Sequence, residues 1–153
     1  MAAFIYVLAI CAANYLLFLF GPWWSIVNSF FLIGLDFILR DVLHERIGFL
    51  KVTGLAILCG GISYTINPAG GMIAIASSVS FVLASLGDGS VYQLLIRKSW
   101  PVKSNASNIT ASAIDSLTFP LIAFGSLVPG IFAGQFIAKV GGGFIWSLLL
   151  RRK

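Results

Sequence analysis

The chain has 153 residues, of which 59% are hydrophobic and 10% charged, with a net charge of +5. Soluble domains carry roughly 25% charged residues, so this composition, with a mean hydropathy of +0.99, excludes a soluble globular enzyme and leaves an integral membrane protein. At about 20 apolar residues per crossing, the length allows about six spans at most and leaves no room for a soluble catalytic domain.

The first predicted span covers about residues 2–20 and ends at the turn Gly21-Pro22, with Asn14 as its one strongly polar group. No Lys or Arg precedes it and no small-residue cleavage site follows, so it is expected to be a helix and not a secretory signal. The second span, 23–39, opens on Trp23 and Trp24, which suit a membrane–water interface, contains Asp36, and closes on Arg40. A charged inner loop, 40–48, is expected next. The third span, 52–66, carries the small residues Gly54, Gly60, Gly61 and Ser63, which favour close helix contact, and stops at Asn67-Pro68.

The fourth span, 69–90, lies in an apolar run that continues to Ile96 and is interrupted by Gly87-Asp88-Gly89. Two glycines in a helix interior, each about 1 kcal/mol worse than alanine, predict a kink or an early helix end there. A polar loop, 97–105, leads to the fifth span, 108–128, which contains Pro120. The sixth, 130–150, carries Lys139 and Gly141-Gly142-Gly143 and ends on Arg151-Arg152-Lys153.

The basic residues cluster in the loop after span two (Arg40, Arg46, Lys51), the loop after span four (Arg97, Lys98, Lys103) and the tail. With six spans all three clusters fall on one face, which the positive-inside rule makes cytoplasmic. The expected architecture is therefore an all-α integral membrane protein, one domain over residues 1–153: a bundle of six transmembrane helices with both termini cytoplasmic. Short clusters between apolar runs are orienting charges, so no nucleic-acid partner is expected. The sequons at Asn105 and Asn108 would face the cytoplasm and stay unglycosylated.

Carboxylates in hydrocarbon are rare and expensive, about 2.5–3.5 kcal/mol each at a helix centre on insertion scales, and they mark substrate or ion paths. Asp88 shares a helix face with Ser77, Ser80 and Ala84, and Asp115 with Asn108 and Ser112. Counted from Ile96, where the apolar run ends, and from the start of span five, each acid is about eight residues, or about 12 Å, from the cytoplasmic face, so the two are expected at one level on adjacent antiparallel helices. Lys139 is the cation expected at membrane depth: it pairs with Asp115 or snorkels toward an edge. The serines read mainly as close-packing residues. Asp41 and Glu45, one turn apart beside Arg40 and Arg46, read first as a solvated helix end and second as a gate. His44 is the single histidine, which makes a catalytic zinc site unsupported. Cys11 and Cys59 read as small buried hydrophobes. No phosphate-binding loop of the form G-x-x-x-x-G-K-[ST] occurs, and neither metal nor cofactor is expected.

Three stretches carry a resemblance: Asp41-x-x-x-Glu45-x-x-Gly48; Ala76-Ser77-x-x-x-Phe81-x-x-x-Ser85-x-x-Asp88-x-x-x-Tyr92; and Ser107-x-x-x-x-Ser112-x-x-Asp115-Ser116-x-x-Phe119-x-x-Ile122-Ala123-Phe124-Gly125. Together they make the chain, from about residue 34 onward, resemble the vitamin uptake transporter family, whose members are called queuosine precursor transporters. The resemblance implies a six-helix protein of the cell inner (plasma) membrane, multi-pass, that imports 7-cyano-7-deazaguanine or a related 7-deazapurine. It implies no enzymatic activity.

A deazaguanine offers a ring N–H and an exocyclic amine on one edge, and a carboxylate can accept both. The substrate-binding candidates are accordingly Asp115 and Asp88, supported by Asn108, Ser112 and Ser85. Tyr92, Phe119, Phe81 and Phe124 are candidates for stacking, and Asp41, Glu45 and Lys139 for gating or charge partnership. The expected partners are a purine-like small molecule and the lipid bilayer, with a homo-oligomer or coupling subunits left open. The alternative function is the substrate-binding membrane subunit of an energy-coupling-factor type vitamin transporter. A structural membrane protein without a ligand is disfavoured by the acids, and an intramembrane enzyme by the lack of a nucleophile–histidine pair.

Overall fold

The computed structural model describes residues 1–150; Arg151, Arg152 and Lys153, the tail counted among the orienting charges, lie outside the described residues. Residues 1–150 are helical almost throughout and form six helices: α1 (Ala2–Phe20), α2 (24–47), α3 (Phe49–Ile66), α4 (Gly71–Leu94), α5 (Trp100–Phe124) and α6 (Pro129–Leu149). A one-turn 3₁₀ segment, Pro68–Gly70, precedes α4. Contacts close the helices into a ring in the order α1, α3, α4, α5, α6, α2, back to α1.

Apolar side chains occupy both faces of the bundle: Tyr6, Ile10, Phe37, Val52 and Cys59 pack in a buried core, and large apolar residues cover the outside as well. Phe4, Leu8, Leu50, Ile57, Leu58, Met72 and Ile137 point outward, while Asp36, Arg40, Asp41, Asp88, Asp115, Gln135 and Lys139 are buried. Soluble proteins almost never bury unpaired charges and rarely leave such apolar faces open, so the outer surface fits lipid. Among the described residues, four helical segments are long and apolar enough to cross a membrane: Ala2–Phe20, Phe49–Ile66, Pro68–Leu94 and Pro129–Leu149. The other two long helices, α2 and α5, carry most of the interior charges.

Helix α2 begins at Trp24 and passes through a π-helical stretch, Ser29–Ile33, before resuming α-geometry over Gly34–Ile47. A π insertion widens the turn and re-aims side chains, and such insertions recur at functional sites. Just after it, α2 crosses α6 backbone to backbone. A Cβ on Gly34 would stand 2.8 Å from the Gly142 carbonyl carbon, and a Cβ on Gly142 would collide with the Phe30 carbonyl oxygen. This is the close approach that small residues permit between membrane helices.

Several expectations change. The segment 40–48 is not a loop: α2 runs unbroken to Ile47 and ends at Gly48, whose φ of 87° reverses the chain directly into α3. Arg40 and Asp41 are therefore buried in the bundle, which overturns the solvated-helix-end reading for both. Gly87 and Gly89 neither kink nor end α4, which continues to Leu94; their missing side chains make room for Ile114 and Phe49 instead. Helix α5 starts at Trp100 behind an extended Ser99, with Pro101 in its first turn. Lys103 thus belongs to a helix and is buried, not held in a polar loop.

Candidate functional site

Five helices contribute to an interior cavity of about 30 Å³, lined among others by Asn14 of α1, Ser25 and Asn28 of α2, Phe81 of α4, Asp115 and Phe119 of α5, and Lys139 of α6. Asp115 and Lys139 form its charged wall. Their Oδ2 and Nζ atoms are 2.8 Å apart, both side chains nearly inaccessible. Nζ also donates to Ser116 Oγ at 3.0 Å and Gln135 Oε1 at 2.8 Å. An ammonium has three N–H donors, and all three have partners. Lys139 is 2% exposed and does not snorkel.

The chain of polar contacts continues across the cavity. Gln135 Nε2 donates to Ser25 Oγ at 2.8 Å, and Asn28 Nδ2 donates to the Ala13 carbonyl at 2.8 Å. Residues 135 and 139 are one turn apart on α6, so one helix face delivers both. Pro120 lacks the N–H that would bond the Ser116 carbonyl, which loosens α5 beside the pair.

A second cluster surrounds Arg40. Its Nη1 donates to Ser85 Oγ at 3.0 Å, its Nε stands 3.6 Å from Asp88 Oδ2, and its guanidinium lies 4.5 Å from the Phe37 ring centre. Next to it, Asp41 accepts a hydrogen bond from the Ser104 hydroxyl. Each intramembrane acid of the expected pair thus has its own cation, and Lys139 is not the sole cation at depth. Nor do the two acids share a level. Gly87 of α4 faces Thr110 and Ile114 of α5, so Asp115 lies about one turn, or about 5.4 Å, further from the α4–α5 connection than Asp88.

A third cluster lies where α2, α4 and α5 meet near that connection. Tyr92 Oη donates to Glu45 Oε1 at 2.6 Å, and Lys103 Nζ donates to the same oxygen at 3.0 Å while lying 4.6 Å from the Tyr92 ring centre. The His44 and Tyr92 rings are 5.5 Å apart. Tyr92 is therefore tied up with Glu45 and does not border the cavity.

Of the residues singled out in the sequence, Asp115, Phe119, Phe81 and Lys139 meet at the cavity. Ser85, Asp88 and Asp41 gather around Arg40, and Glu45 and Tyr92 form the third cluster. Asn108 and Ser112 are buried on the Asp115 face, their polar side-chain atoms without protein partners. Phe124 stacks edge-on against Phe119 at 5.9 Å. Sequence reasoning passed over Gln135, Ser25, Asn28, Ser104 and, above all, Arg40 and Asp36. The spacing Asp36-x-x-x-Arg40 within one helix was the available signal, since residues four apart share a face.

Residues 63–150 match the protein family described as "Putative vitamin uptake transporter". No curated protein and no solved structure matches the chain.

Proposed function

Because the chain belongs to the vitamin uptake transporter family, we propose that it is a carrier importing a queuosine precursor, 7-cyano-7-deazaguanine or a related 7-deazapurine, across the inner membrane without altering it chemically. In this reading all six helices span, both termini are cytoplasmic, and Arg46, Lys51, Arg97 and Lys98 mark the inner face.

One observation carries the proposal: a buried Asp115–Lys139 pair forms the wall of an interior cavity reached by five helices. A carboxylate in that position can accept the ring N–H and exocyclic amine of a deazaguanine edge. Phe119 and Phe81 on the same cavity provide flat faces for the bicyclic ring. The cavity of about 30 Å³ has room for one or two waters, too little for a bicyclic base. Loading then requires α5 and α6 to part, with the ligand edge replacing Lys139 on Asp115.

The test is Asp115→Asn carrying a C-terminal fluorescent protein that lights only in the cytoplasm. The fusion should reach the membrane, fluoresce, and lose uptake of 7-cyano-7-deazaguanine at least tenfold. Uptake at the wild-type level would remove Asp115 from the site, and a dark fusion at the membrane would place the C-terminus outside.

A further inference from the structure

Among the described residues, four carboxylates lie inside the bundle, Asp36, Asp41, Asp88 and Asp115, against three buried cations, Arg40, Lys139 and Lys103, the last of which is held by Glu45. Asp88 has Arg40, Asp115 has Lys139, and Asp41 accepts the Ser104 hydroxyl. Asp36 stands apart: it is 0% exposed and neither of its oxygens has a hydrogen-bond partner. An isolated ionised carboxylate is so costly away from water that such a group takes up a proton instead. The excess of acids over cations in the interior points the same way, because two charges of one sign in low dielectric have nothing to repay their desolvation.

The surroundings of Asp36 single it out further. The Tyr6 hydroxyl of α1 is also fully buried and without a hydrogen-bond partner, and Asp36 is among the groups near it. Cys59 of α3 is within reach of the same carboxylate. Arg40 on its own helix, Asp115 of α5 and Asp88 of α4 are the charges that act on Asp36 in turn. From α6, Lys139 is engaged by Asp115, Ser116 and Gln135. Asp36 is thus close enough to the acids of both ion pairs to feel their charges.

We propose that Asp36 carries an exchangeable proton whose entry drives cargo import, an inference that rests on the carrier reading above. Arg40 beside it disfavours a metal cation, and among the described residues no group of three His, Cys, Asp or Glu side chains could hold one. Arg40 is the link to motion. Its Nη1 holds Ser85 of α4, while its Nε and Nη2 make no hydrogen bond. With Asp36 protonated, Arg40 serves Asp88 and ties α2 to α4. When the O–H proton leaves to water on the cytoplasmic side, Arg40 gains a competing anion four residues back on its own helix face. The tie to α4 weakens, and no other bond changes.

Two measurements test this. In lipid at neutral pH without ligand, the infrared C=O band of protonated carboxyl groups should lose amplitude in Asp36→Asn; no such band in the wild type, or an unchanged band in Asp36→Asn, overturns the proposal. In liposomes, wild-type protein should accumulate 7-cyano-7-deazaguanine under an outside-acid gradient. Asp36→Asn should keep exchange of internal for external ligand but lose accumulation at least tenfold; accumulation equal to wild type overturns the proposal. Absence of exchange in the wild type would sink the carrier reading instead, and the infrared result would still decide the proton. Should Asp36→Asn fail to fold, Asp36→Glu takes its place: accumulation with a shifted pH midpoint supports the proposal, and an unmoved midpoint contradicts it.

Discussion

Lys139 uses every one of its donors inside the bundle, on Asp115, Ser116 and Gln135. Removing one partner of a buried pair leaves the other charge uncompensated, which typically costs about 3–5 kcal/mol. Lys139→Met should therefore lower the thermal stability of the purified protein markedly. Adding Asp115→Asn should recover part of the loss, since the stranded charge is then gone and the two sites are in direct contact. Melting curves of the single and double variants decide this; equal melting of Lys139→Met and wild type would mean that the pair contributes nothing to folding.

At the scale of elements, the contact between α2 and α6 depends on Gly34 and Gly142, where each Cβ position is occupied by the other helix's backbone. Overpacking a well-packed interior costs about 1–3 kcal/mol even where side chains can shift, and here backbone would have to move. Gly142→Val should sharply reduce the yield of folded protein, whereas Gly141→Ala, whose Cβ would meet only Phe30 Cε2 at 3.8 Å, should be neutral or slightly stabilising through better helix propensity. Equal yields of the two variants, measured by gel filtration in detergent, would show that this crossing is not tight.

Helix existence was legible because apolar runs separated by Gly-Pro, Asn-Pro and basic turns are strong signals: α1 spans the expected 2–20, and α6 differs by one residue at each end. What hydropathy could not show was the fate of charges at run ends. Arg40 looked like a loop charge because a lone arginine in hydrocarbon is costly, yet Ser85, Asp88 and the Phe37 ring, all distant in sequence or hidden by helix phase, make its burial tolerable. The same blindness set α5 to begin near 108. Ser99 and Pro101 were a readable helix start, and taking it would have put Asp115 deeper than Asp88. At the site, depth left Lys139 either paired with Asp115 or snorkelling, and the structure shows the pair, while Gln135, Ser25 and Asp36 needed the ring order of the helices to acquire a role.

For the whole molecule, the ring of helices puts lipid-compatible side chains outside and three polar clusters inside: Glu45, Tyr92 and Lys103; Arg40 and Asp88; and the Asp115–Lys139 pair at the cavity. Buried polar clusters on separate helices are what a carrier needs if those helices must exchange partners as it opens to one side at a time. The central claim is that this chain alone moves its cargo. The most direct measurement is exchange of radiolabelled 7-cyano-7-deazaguanine in liposomes containing only the purified protein, with no nucleotide. The account predicts saturable exchange that Asp115→Asn abolishes; no exchange until an ATP-hydrolysing partner is added would contradict it and identify the chain as the binding subunit of a larger pump.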